Sequence, residues 1–141
     1  MDAATFNDEF QSNRRLKDLI HAYLNALMMQ TSQTIACNRF HPTAQRMARW
    51  LLITRDRLPS DEMPLTHEYL SHMLGTRRAS VTLALKELTA RKLISHRRAT
   101  IKVLNRRALE RYACDCYRII KRAFRESSRA SSSTQPRVRS A

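Results

Sequence analysis

The chain of 141 residues contains a single glycine, Gly75, and only four prolines. Glycine and proline supply most of the backbone conformations that tight turns need. A fold built from many hairpins is therefore excluded, and a mainly helical one is expected. Aromatic residues make up 6% of the chain, which disfavours readers of single strands that stack bases on rings. No apolar run approaches the roughly 18–20 residues that would span a bilayer. No basic segment followed by an apolar stretch marks a signal peptide, so no membrane partner is expected. The three cysteines, Cys37, Cys114 and Cys116, are odd in number and come without a secretion signal. They read as reduced thiols in a cytoplasm.

Catalytic patterns are missing as well. There is no Gly-rich phosphate loop, no G-x-S-x-G and no H-E-x-x-H, so the chain is not read as an enzyme and no catalytic residue is named. No cofactor and no metal are expected. The histidines His21, His41, His67, His72 and His96 show no ligand spacing. Cys114 and Cys116, read as positions i and i+2 of one helix, would point about 200° apart.

Acidic residues are scarce too, 12 against 26 lysines and arginines, for a formal net charge of +14. Such an excess calls for a polyanionic partner, most simply nucleic acid. The excess is also localised. Between Gly75 and Arg107 ten basic residues face Glu87 alone, a balance of +9 out of the total.

Residues 1–13 are weakly patterned and read as a flexible N-terminus. From 14 to 40, Leu16, Leu19, Ile20, Tyr23, Leu24, Leu27, Met28 and Ile35 recur in steps of three and four, the period of an amphipathic helix. At 1.5 Å per residue it would extend about 39 Å, more than a small domain can cover, so it reads as a dimerisation helix. Pro42 opens a second helix that runs to about Arg55, and "LPSDEMP" (58–64) reads as a loop.

Thr66 is placed to cap a short helix that ends at Gly75, and a further helix follows Thr76 to about Arg91. Two short helices joined by a tight turn form a helix-turn-helix, whose turn needs one residue at positive φ. The only glycine stands there. The second helix turns Val81, Ala84, Leu85 and Leu88 inward. Arg77, Arg78, Ala79, Ser80, Thr82, Leu83 and Lys86 remain for the major groove of a duplex. Arg78 is suited to a guanine edge, Leu83 to a thymine methyl, and Ser80 and Thr82 to base or backbone. Arg77 and Lys86 are suited to phosphates. Residues 93–104 alternate with period two and read as a hairpin that brings Arg97 and Arg98 to the backbone as a wing. Residues 108–125 read as one C-terminal helix. The Ser/Arg-rich residues 126–141 read as a disordered basic tail.

"CNRFHPTAQRMARWLL", "LTHEYLSHMLGTRRASVTLALKELTARKLI" and "RRATIKVLNRRALERYACDCYR" together resemble the C-terminal half of the Crp-Fnr regulators, over about residues 14–120. The resemblance implies a winged helix-turn-helix domain at 41–107 that binds a two-fold operator on double-stranded DNA as a homodimer through residues 14–40. It also implies a bacterial, cytoplasmic protein, and Arg78 matches the first residue of the family's recognition pattern. The DNA-binding residues read from the helix pair and the hairpin are Thr76, Arg77, Arg78, Ala79, Ser80, Thr82, Leu83, Lys86, Arg97 and Arg98. The family's cyclic-nucleotide-binding domain has no counterpart here, so no effector site carries over. Ala79 and Leu83 depart from the family's best-known recognition pattern, so the operator sequence does not carry over either. Ala99 stands where a glycine is usual at the wing tip. The expected function is a sequence-specific transcription regulator lacking an effector domain. The alternatives are a truncated regulator that heterodimerises with full-length relatives, or a non-specific basic nucleic-acid-binding protein.

Overall fold

The computed structural model describes residues 2–132 and is mainly helical. Helices α1 (Ala3–Ser12), α2 (Arg14–Phe40) and α3 (Thr43–Arg55) are followed by strand β1 (Glu62–Pro64). Then come α4 (His67–Leu74), α5 (Arg78–Ala90), β2 (Ile94–Arg97), β3 (Thr100–Val103), α6 (Arg106–Tyr112) and α7 (Cys116–Ser132). The chain divides into two compact units. One is built from residues up to Ser32 together with those from Ile119 onward, and the other is Gln33–Arg118.

In the first unit α1 replaces the expected flexible N-terminus. The Asp2 side chain accepts the Thr5 N–H at 2.8 Å, an N-cap that composition alone did not single out. Asn13 repeats the device for α2 by accepting the Leu16 N–H at 3.1 Å. Among the described residues of this unit, Ala26, Ile120 and Ser127 are buried, and Tyr23 meets Phe124 edge-on with ring centroids 6.0 Å apart. Leu19, Tyr23, Leu24 and Met28 on α2 stay exposed, Met28 at 68%.

In the second unit α3 is the platform. Met47, Ala48, Leu51 and Leu52 are fully buried on it, against Leu70 and Leu74 of α4, Val81, Ala84, Leu85 and Leu88 of α5, and Leu109 of α6. Each leucine so removed from water contributes about 1.5–3 kcal/mol. The sheet closes this core from the other side with Met63, Ile94, Ile101 and Val103. Its strand order is β1-β3-β2, antiparallel throughout, with Met63 opposite Ile101 and Ile94 opposite Val103. Strand β1 lies inside the stretch expected to be a loop. Three residues ending in Pro64 are too short for a period, and proline is tolerated because β1 is an edge.

The expected single C-terminal helix is interrupted. Ala113 takes an extended conformation (φ −62°, ψ 152°), so α6 ends at Tyr112 and α7 restarts at Cys116. No proline or glycine forces the break. It coincides with the burial of both Cys114 and Cys116, which one regular helix would point apart. Helix α7 also runs to Ser132, into the stretch expected to be disordered, and residues 133–141 of that tail lie outside the described residues.

Gly75 terminates α4 in the left-handed region at φ 56° and ψ 47°. Its N–H bonds the His72 carbonyl at 3.2 Å, and the Thr76 N–H bonds the Ser71 carbonyl at 3.0 Å. This is the Schellman pairing that closes a helix and turns the chain sharply. The Arg46 guanidinium of α3, itself buried, donates to the Leu74 carbonyl, placing positive charge at the negative end of α4. A Cβ added at Gly75 would meet nothing within 4 Å. The requirement for glycine is therefore conformational rather than spatial. Gly75→Ala is expected to cost about 1–2 kcal/mol in urea unfolding, and Gly75→Asn clearly less. Equal stability of all three proteins would show that the turn does not use this conformation.

Candidate nucleic-acid interface

The turn at Gly75 fixes where α5 begins. Arg77 is its N-cap, extended and with no side-chain cap bond, and Arg78 is its first residue. The first-turn N–H groups of a helix carry partial positive charge and favour phosphate. Helix α5 buries Val81, Ala84, Leu85 and Leu88, so Ala79, Leu83 and Lys86 form its outermost stripe, and all three are exposed. Leu83 is 69% exposed, an apolar side chain standing in water.

The flanks of α5 differ from the stripe. On one side Glu87 accepts the Tyr112 hydroxyl at 2.6 Å and pairs with Arg91 at 3.3 Å, which ties down the only acidic residue of α5. On the other side the Thr82 hydroxyl donates to the Arg78 carbonyl at 3.1 Å. Its proton is then spent, so the 3.1 Å contact with His67 is a bond in which His67 Nδ1–H donates. The His67 ring lies 5.0 Å from that of His96, and together with Thr82, Lys86 and Thr89 they line a groove beside α5. Burial, helped by His67, holds the His96 imidazole below its ordinary pKa.

Thr76, expected among the contact residues, is half-buried and spends its N–H on the Schellman turn. Ser80 is half-buried too. Arg77, Arg78, Ala79, Thr82, Leu83 and Lys86 are exposed on or beside the first two turns of α5, and Arg97 and Arg98 are exposed at the wing tip.

The ten basic residues between 75 and 107 divide by partner. Arg91 pairs with Glu87, and Lys102 reaches Glu62 at 2.9 Å. Arg106 reaches Asp56 at 2.5 Å and Glu110 at 3.1 Å, in a network that also holds the Tyr117 hydroxyl. Part of the positive run is thus neutralised, by Glu87 and Glu110 one helical turn away and by Glu62 and Asp56 from distant segments. Among the described residues, Arg77, Arg78, Lys86, Arg97 and Arg98 have no acidic partner, and neither do Lys92, just past the end of α5, and Arg107 of α6.

The wing is tight without glycine. Arg97 pairs with Thr100 across a two-residue loop in which Arg98 (φ 45°) and Ala99 (φ 60°) are both left-handed. This is the hairpin turn whose twist matches the strands. The Ala99 carbonyl accepts the Leu65 N–H at 2.7 Å, which holds the turn against β1.

A three-helix core with a tight helix-turn-helix and a basic two-stranded wing defines a winged helix-turn-helix domain. Residues 45–112 match the family of Crp-like helix-turn-helix domains, and the domain belongs to that family. It is the DNA-binding domain type of Crp-Fnr transcription regulators, as the sequence resemblance implied. The chain is similar in fold to a protein described as a transcriptional regulator of the Crp/Fnr family from Eubacterium rectale. That likeness has a TM-score of 0.58 at 19% identity and covers 78% of this chain and 51% of that one. It is also similar to the catabolite activator protein of Thermus thermophilus, with a TM-score of 0.49 at 21% identity, over 67% of this chain and 44% of that one. The chain therefore spans about half the length of these two structures. No curated protein matches it.

Left-handed backbone costs a non-glycine residue about 1–2 kcal/mol, part of which glycine returns as unfolded-state entropy. Ala99→Gly is therefore expected to stabilise the domain by about 0.5–1 kcal/mol in thermal unfolding. A fall in the midpoint would show that Ala99 packs in a way glycine cannot replace.

Proposed function

We propose that the chain is a sequence-specific DNA-binding transcription regulator that acts in the cytoplasm and binds a two-fold operator as a dimer. The observation that carries this reading is the group of five exposed basic side chains without acidic partners, on α5 and the wing tip. Arg78 reads a guanine edge from the first turn of α5, and Leu83 meets a thymine methyl. Ala79 lets the helix approach the bases closely, while Ser80 and Thr82 serve the groove wall. Arg77, Lys86, Arg97 and Arg98 hold phosphates, with the Thr76 turn beside them. The exposed Leu19, Tyr23, Leu24 and Met28 of α2 supply the seam of the dimer.

Selection from a random duplex pool is expected to return a palindromic motif. On that motif, log K against log salt should fall with a slope of about −5 or steeper, as about six or more phosphates per dimer require. A slope near zero would overturn the reading. Arg78→Ala is expected to cost about 1–3 kcal/mol on the selected duplex and little on random duplex. Equal losses on both would make Arg78 a phosphate contact. Equal affinity of the unaltered chain for selected and random duplex would leave only non-specific binding.

A further inference from the structure

We propose that Cys37, His41, Cys114 and Cys116 form a structural zinc site in the Gln33–Arg118 unit. Their four ligand atoms, three thiol sulfurs and one imidazole nitrogen, all lie within 4.8 Å of one another. Cys37 Sγ is 3.5 Å from Cys114 Sγ, and Cys116 Sγ is 3.5 Å from His41 Nδ1. A tetrahedral zinc with Zn–S about 2.3 Å and Zn–N about 2.0–2.1 Å has ligand–ligand edges of about 3.5–3.8 Å. Two of the six separations already match this spacing, and the others exceed it by no more than about 1 Å. An iron–sulfur cluster divides its thiolates over more than one iron and needs a wider frame.

The backbone supplies the ligands in two pairs. Cys37 lies in the last turn of α2, and His41 follows it by four residues, so both face one side. Cys114 and Cys116 come from the break between α6 and α7. The break makes possible what one helix forbids, two thiols at i and i+2 converging on one point. The expectation that these two cysteines cannot ligate one metal follows from a single helix, which the structure does not have. The Cys37-x-x-x-His41 spacing is the signal of this site that the sequence carries, one that the spacing of the histidines among themselves does not show.

The surroundings suit thiolates rather than packed thiols. Cys37, Cys114 and Cys116 are all buried. The Gln33 amide donates to Cys116 Sγ at 3.2 Å, the kind of outer bond that orients a metal-bound sulfur. The Arg49 guanidinium is 4% exposed, and its Nε is buried without a hydrogen-bond partner. A buried cation needs compensating negative charge. Three thiolates, a neutral imidazole and Zn²⁺ carry one net negative charge, which Arg49 offsets. The Arg49 charge acts on the Cys37 sulfur, which places the guanidinium beside the site. Four protein ligands leave no open position, so the ion is structural. It would staple the end of α2 to the α6–α7 junction, with the thiol protons released to solvent on binding.

The test is metal analysis of the full chain, expressed with zinc and purified in reducing buffer without chelator. About one zinc per chain is expected. Cobalt in its place should give the visible bands of a tetrahedral thiolate site. Cys37→Ser, Cys116→Ser and His41→Ala should each lose the metal, while the control His21→Ala keeps it. Should the ligand variants unfold, the unaltered chain decides. Stripped and refilled in competition with a chromophoric chelator, it should bind zinc at about nanomolar Kd or tighter. Three results would overturn the proposal: failure to take up zinc on reconstitution, iron with acid-labile sulfide instead of zinc, or a Cys37–Cys114 disulfide that persists in reducing buffer. None of these measurements depends on DNA binding.

Discussion

The left-handed turn at Gly75 positions everything that follows it. Two backbone hydrogen bonds close α4 there, and Arg46 from α3 meets its last carbonyl. The direction in which α5 leaves is thereby set, and with it which of its faces is buried. Because Val81, Ala84, Leu85 and Leu88 must reach the α3 platform, Ala79, Leu83 and Lys86 have no choice but to face outward. The exposed stripe is thus the geometric complement of the core. The same turn device ends α5, where Lys92 is left-handed at φ 55° and the Leu93 N–H bonds the Leu88 carbonyl at 3.1 Å. Here a lysine bears the conformational cost, because the chain has no second glycine.

Charge is arranged by partner as much as by number. The basic run from Gly75 to Arg107 looks uniform in the sequence, yet folding brings Glu62, Asp56 and Glu110 to Lys102 and Arg106. Those basic residues join β1 to β3 and α6 to the end of α3. Of the charges left unpaired, five lie around the start and outer face of α5 and at the wing tip, while Lys92 and Arg107 lie past the end of α5 and on α6. A polyanion would meet this subset, since ion pairs already made within the protein have less to gain from phosphate.

Much of the helix-turn-helix was legible because its signals are local. The Thr66 cap, the single glycine and the apolar period of α5 each act within a few residues, and the Thr66 hydroxyl does accept the Tyr69 N–H at 3.1 Å. The wing was legible from its alternation. Strand β1 was not, because three residues have no period and exist as a strand only by pairing with β3. Helix α1 has no legible signal, because its apolar residues are too sparse to show a face and its start rests on one Asp2 cap. The extent of α7 was obscured by serines, which disfavour helix when free but hydrogen-bond back to carbonyls here, as Ser127 does to Phe124 at 2.9 Å.

From the residues alone came the helical class, the bent helix pair with its basic face, and the wing. Each follows from short-range stereochemistry, in which a residue's own φ or its neighbour three places on decides the outcome. Only the folded chain decided that Glu62 and Asp56 reach Lys102 and Arg106, that residues 113–115 leave the helix, and that Cys37 and His41 meet Cys114 and Cys116 across more than seventy positions. Those outcomes belong to packing. A helix breaks without a breaker, and thiols gather around a point, when distant segments are brought together by the burial of the same core, and no local pattern carries that information.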